Sequence, residues 1–101
     1  MRIDLPIDWS YGRGGEWKTV VAEIVDIAPH LAHVATFAVS RDPELPSLWR
    51  VHNIETGYRV GERWIKTKRK AINDAKRKLS TISVRKMLFY MKRAHNKLGK
   101  L

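Results

Sequence analysis

One hundred and one residues, 44% of them apolar and including four tryptophans, suffice for one core but not for two, so the chain is read as a single globular domain over residues 1–101. The absence of cysteine excludes disulfides, thiolate metal sites and cysteine nucleophiles, and fits a reducing, cytoplasmic setting. The net charge of +10 is unevenly divided: residues 1–65 hold seven Lys and Arg against nine Asp and Glu, whereas residues 66–101 hold thirteen against one, an asymmetry that points to a polyanionic partner.

In chain order, "MRIDLPIDWS" places acids where a secretory signal needs an apolar core, and no apolar run approaches the roughly 20 residues that span a bilayer. The expectation is a protein that is neither exported nor embedded in a membrane. Ile3, Leu5, Ile7 and Trp9 alternate, but Pro6 interrupts them and no element is assigned there. "GRGGEWKT" (Gly12 to Thr19) reads as a flexible turn; it lacks the Gly-Lys-Thr junction of a phosphate loop. "WKTVVAEIVDI" (Trp17 to Ile27) is rich in Val and Ile, and "LAHVATFAVS" (Leu31 to Ser40) alternates Leu31, His33, Ala35, Phe37 and Val39. Both are expected to be strands, joined by a turn near Pro29.

"RDPELPS" carries two prolines and reads as a loop. The following "LWRVHNIETGYRVGERW" has the form of a hairpin with Gly57 at its turn. Residues paired across two strands share a face. A four-residue loop, Ile54 to Gly57, sets Val51 against Val60, Asn53 against Tyr58 and His52 against Arg59, and predicts an outer face carrying Arg50, His52, Arg59 and Arg63.

From Thr67 the apolar period changes from two to about 3.6. Thr67 is placed to cap a helix whose stripe is Ala71, Ile72, Ala75, Leu79 and Ile82. "STIS" (Ser80 to Ser83) is a poor helix interior, and Ser83 is placed to cap a second helix with Val84, Met87, Leu88, Met91, Ala94 and Leu98 on its stripe and Gly99 near its end. The fold class that results is α+β: a four-stranded, mostly antiparallel sheet covered by one or two carboxy-terminal basic helices. Ala71, Ile72, Ala75, Leu79, Met87 and Met91 should face the sheet, although the second stripe would serve equally as a homodimer seam.

"IKTKRKAINDAKRKL" (Ile65 to Leu79) contains seven Lys and Arg and one acid, Asp74. At about 100° per residue, Lys66, Arg69, Lys70, Asn73 and Arg77 oppose the first apolar stripe, with Lys68, Lys76 and Lys78 on its flanks. Arg85, Lys86, Lys92, Arg93, Asn96 and Lys97 oppose the second, together with Phe89. Ordinary solvated helix faces mix signs, because glutamates four residues from lysines stabilise a helix and like charges repel. Here the mixing is absent, and Lys68, Arg69 and Lys70 occupy a first turn where the helix dipole disfavours cations. Bound anions would relieve both conflicts. Phosphate contacts by such residues give affinity and position, and base readout falls to Arg50, Arg59, Arg63 and Asn73. Phe89, amid Arg85, Lys86 and Arg93, is able to stack on an unpaired base or to pack against protein.

"WRVHNIETGYRVG" followed by "TKRKAINDAKRKL" resembles two patterns over residues 49–79. One is the end of the double-stranded RNA-binding domain: Thr67, Lys68, Arg69, Ala71 and Ala75 match its last helix, which implies a basic pair gripping phosphates. That family's amino-terminal helix is absent, and Ile72 stands where another lysine is usual. The other is the arm-binding domain of tyrosine integrases, which implies that Arg50, Arg59 and Arg63 occupy a sheet face laid into DNA.

Catalysis finds no constellation. His30 and His33 lack a third metal ligand nearby in sequence, and the acids are scattered from Asp4 to Glu62 with no spacing suited to a metal-dependent nuclease. No cofactor or metal is expected. The expected function is non-catalytic binding of nucleic acid, double-stranded before single-stranded, by Lys66, Lys68, Arg69, Lys70, Lys76, Arg77, Lys78, Arg85, Lys86 and Arg93, with Arg50, Arg59 and Arg63 of the hairpin. The alternative is a small, phage-like inhibitor or adaptor that docks its basic helices on an acidic protein or nucleoprotein complex of a host defence system.

Overall fold

A computed structural model describes residues 2–8 and 17–98, the side chains of residues 8, 17, 63, 64 and 94–98 excepted. Five strands, β1 (Arg2–Asp8), β2 (Trp17–Val25), β3 (Phe37–Arg41), β4 (Trp49–Asn53) and β5 (Arg59–Ile65), precede two helices, α1 (Lys68–Leu79) and α2 (Val84–Leu98). The sheet is antiparallel throughout, in the order β1-β2-β3-β4-β5. The chain is therefore α+β, with one strand more than expected. The additional strand is β1. Its Pro6 lies opposite Thr19 in an edge strand, where the missing N–H can face away from the ladder and a proline is tolerated.

A second correction concerns the segment from Leu31 to Thr36, which winds instead of extending. Pro29 opens a 3-10 turn, Pro29–Leu31, and the Leu31 carbonyl accepts from both Val34 and Ala35 N–H at 2.9 Å. Extended structure starts at Phe37. His30 Nε2–H donates to the Ile82 carbonyl at 2.9 Å, tying this turn to the segment between the helices.

The β4–β5 hairpin has the expected register, with Val51 opposite Val60 and His52 opposite Arg59. Its turn is held by Asn53, whose N–H donates to the Tyr58 carbonyl (2.9 Å), whose carbonyl accepts from Gly57 (2.8 Å), and whose side-chain oxygen accepts from the Thr56 hydroxyl (2.7 Å). Gly57 has φ of 73°, a conformation that glycine adopts without a Cβ penalty. Beyond Val60 the ladder is irregular, since the next pair is Trp49 with Ile65 and four β5 residues lie opposite Arg50 alone. Gly61, with φ of 94°, begins this bulge. The bulge frees the Glu62 N–H, which donates to Asp74 Oδ2 of α1 at 2.9 Å.

Both helices begin at the expected residues. Thr67 Oγ1 accepts from Lys70 N–H and Ser83 Oγ from Lys86 N–H, each at 3.1 Å, so each cap satisfies one otherwise unpaired donor of the first turn. Ala71, Ala75 and Leu79 of α1 and Met87 and Met91 of α2 are buried against Phe37, Val39 and Val51, and Ile72 packs at the margin. Burial of a side chain such as Leu79 contributes about 2 kcal/mol. Val84, Met87 and Met91 of the α2 stripe are thus engaged with the protein's own core, whereas Leu88, expected on the same stripe, is 47% exposed. The Gly12 turn, the Gly99 cap and the side chains of Arg63, Ala94, Asn96, Lys97 and Leu98 lie outside the described residues.

A smaller apolar cluster, Leu5, Ile7, Ala22 and Ala38, lies on the opposite face of the sheet. Strand parity puts Ser40, Arg50 and His52 on this second face. All three are buried, Arg50 at 2% exposure and His52 at 0%. The expected solvent-facing surface of Arg50, His52 and Arg59 is therefore an interior layer. Alternation located the face correctly, but a chain whose sheet is apolar on both sides gives no sign of which face meets water.

Candidate functional site

The thirteen basic candidates separate into three groups. Arg50 is withdrawn from the surface. Its Nε lies 2.7 Å from Asp42 Oδ2, and the other Asp42 oxygen accepts the Glu44 and Leu45 N–H groups at 2.8 and 3.0 Å. A guanidinium in that position is a structural ion and does not reach a groove. Arg59 is half-buried on the same face, and the Arg63 side chain lies outside the described residues.

The second group consists of cations that α1 turns toward carboxylates. Lys68 pairs with Glu23 of β2, Arg77 with Asp74 at 2.8 Å, and Lys78 with Glu62 at 2.8 Å and Asp74 at 3.7 Å. Three carboxyls are consequently held below their ordinary range. Glu23 is lowered by its hydrogen bond and charge interaction with Lys68, and Glu62 by those with Lys78. Burial of Asp74 would raise its pKa, but the Glu62 amide, Lys78 and Arg77 together outweigh that effect. Asp74, the only acid in either helix segment, is thus a clamp between α1 and β5. It leaves the outward face without a negative charge.

Lys66, Arg69, Lys70 and Lys76 around α1, and Arg85, Lys86 and Arg93 on α2, form the third group, to which the structure adds Lys92 of α2. All eight are exposed, and among the described residues none meets a carboxylate. Neither helix has an acid in its first turn. Leu88, Phe89 and Tyr90 stand exposed among the α2 cations, at 47%, 56% and 44%, and the Arg93 guanidinium lies 5.9 Å from the Phe89 ring centroid.

Two features were not anticipated from sequence. Trp49 is flanked by Arg41 at 4.4 Å and Lys68 at 6.0 Å from its ring centroid, along a groove that includes Arg2 and Glu23. The Arg41–Trp49 pairing follows from the β3–β4 register and is legible only once that register is known. The other feature is an open, largely apolar cavity of about 230 Å³ between the hairpin and α2. Among the described residues no three His, Asp or Glu side chains gather as a metal site, and no helix is long and apolar enough to cross a membrane.

The arrangement can hold a polyanion along two helices and offers apolar and aromatic contacts beside the charges. No family model, no curated protein and no solved structure matches this chain.

Proposed function

We propose that the protein is a non-catalytic nucleic-acid-binding domain that grips phosphates, of double-stranded before single-stranded nucleic acid, with the outward faces of α1 and α2. The observation that carries this reading is the set of eight exposed cations without a carboxylate partner among the described residues, on helices whose one acid is turned inward. Surface lysines in a purely structural role are ordinarily interspersed with acids. Lys68, Arg77 and Lys78 take a secondary part, since each retains exposure but is shared with a carboxylate. Arg50 takes no part in base readout.

The reading is tested by fluorescence anisotropy of duplex DNA, duplex RNA and single strands between about 50 and 200 mM salt, where a site of six to ten phosphate contacts loses roughly a thousandfold or more in affinity. Replacing Arg69, Lys70 and Lys76 together by Gln should make the log–log salt slope on duplex DNA shallower by about 2.7, since each phosphate contributes about 0.9. Absence of binding at the lower salt sinks the proposal.

A second reading, a phage-like inhibitor or adaptor docking on an acidic protein surface or nucleoprotein, is favoured by the exposed Leu88, Phe89 and Tyr90. Large apolar side chains beside charges are the composition of protein-binding hot spots. Such a partner would be retained by pull-down with immobilised protein after nuclease treatment, and the retention would fail with Phe89→Ala.

A further inference from the structure

The cavity between the β4–β5 hairpin and α2 is floored by Leu79, Met87 and Met91 and walled by Tyr58, Val60 and Tyr90. Its size decides what it can take. A cavity of about 150 Å³ holds a benzene ring, while sites for drug-sized molecules begin at about 300 Å³; at about 230 Å³ this one admits a single planar ring somewhat larger than benzene. Its lining suits a ring as well, because methionine thioethers are polarizable and adapt to aromatic faces. Tyr90, at the rim, is 44% exposed.

Charge determines which kind of ring arrives there. Lys86 and Arg93 lie four residues before and three after Tyr90, on the same stripe of α2, and both are exposed with no carboxylate beside them among the described residues. A flat ring with a polar edge, carried between anionic groups, meets apolar side chains and, from Asn53, Thr56 and Arg59, polar ones in the cavity, with cations on the helix stripe of the rim residue Tyr90. We infer that the cavity receives one unstacked base of the bound nucleic acid, with Lys86 and Arg93 holding the flanking phosphates. The inference rests on the nucleic-acid reading above and deepens it: the protein prefers nucleic acid with a bulge or another unpaired nucleotide to an uninterrupted duplex. The step is binding only, and no bond is made or broken.

The test compares a fully paired duplex with the same duplex carrying one bulged 2-aminopurine, as DNA and as RNA. The bulged form should bind roughly tenfold tighter, in line with the stacking of one base, and its 2-aminopurine emission should change on binding. Tyr90→Ala, at an exposed position that does not threaten the core, should abolish the preference. A bulkier wall, Val60→Phe, should do the same by filling the cavity. Equal affinity for both forms with unaltered emission overturns the inference but leaves the phosphate grip standing. Absence of binding to either form overturns the grip as well. Displacement of the 2-aminopurine signal by an acidic peptide carrying phenylalanine, at constant anisotropy, would assign the cavity to a protein side chain and overturn it too.

Discussion

His52 offers a test of the interior that is independent of any ligand. It is 0% exposed, neither ring nitrogen has a hydrogen-bond partner of good geometry among the described residues, and it lies on the same face of the sheet as Arg50 and Arg59. Burial first, then the Arg50 charge, push its pKa down from 6.5 to about 3, against the opposing effect of the Gly57 backbone and with a smaller push from Arg59. With the folded value below the unfolded one, the unfolded chain takes up the proton first as pH falls. Stability from this residue is therefore complete above pH 6.5 and is lost progressively toward pH 3. At 1.36 kcal/mol per unit the loss is about 2 kcal/mol at pH 5, a sizeable share of the 5–15 kcal/mol typical of a domain. The lowered carboxyls Glu23, Glu62 and Asp74 act in the same direction but mainly below their ordinary values of 4.5, 4.5 and 3.8, so the window from pH 6.5 to 5 belongs to His52. Urea unfolding followed by tryptophan fluorescence at pH 7.5, 6 and 5 should reveal this slope, and His52→Leu should flatten it while changing stability at pH 7.5 by less than about 1.5 kcal/mol, as near-isosteric core swaps do. An NMR titration in which the His52 ring protonates near pH 6.5 would refute the reasoning, as would an unchanged slope in the variant.

Two further substitutions probe the supports of the fold. Gly61→Ala places a Cβ 2.5 Å from Asp74 Oδ2 at φ of 94°, and is expected to lower stability by about 2–3 kcal/mol in chemical denaturation; a loss under 0.5 kcal/mol would mean that the β5 bulge relaxes freely. Asp42→Asn keeps the side-chain oxygen that caps the Glu44 turn but removes the negative charge 2.7 Å from the buried Arg50 Nε, for an expected loss of about 3 kcal/mol, with part of it recovered in the Asp42→Asn, Arg50→Met double variant.

The local rules were readable in the amino-acid string and the placement of faces was not. Thr67 and Ser83 as caps, the break at Ser80 to Ser83, and the register that pairs Val51 with Val60 follow from the chemistry of single residues and from parity. β1 escaped notice because Pro6 is a warning that holds for central strands and lapses at an edge. The segment from Leu31 to Thr36 has an alternating pattern, yet Pro29 and the Leu31 carbonyl wind it into turns. The hairpin arginines show a deeper limit. Arg50 is in sequence indistinguishable from an exposed readout residue, and Asp42, brought close by the β3–β4 connection, helps to make its burial tolerable. Composition cannot indicate a partner that tertiary structure supplies.

The same consideration bears on the basic helices in the opposite sense. A run of cations on a helix becomes unremarkable when neighbouring elements supply acids to meet it. Here the acids are supplied, but on the inward flank: Glu23 from β2 reaches Lys68, Glu62 from β5 reaches Lys78, and Asp74 turns to the Glu62 amide with Arg77 and Lys78 beside it. These contacts fasten α1 to the sheet and leave Arg69, Lys70 and Lys76 facing water among other cations. Such surface pairs contribute little to stability, and a glutamate at position 73, four residues from both Arg69 and Arg77, would add a few tenths of a kcal/mol to the helix. Asn73 stands there instead. A solvated face gains from that exchange and a phosphate-binding face loses by it, so the neutral residue at the centre of the α1 surface argues for an anion held from outside.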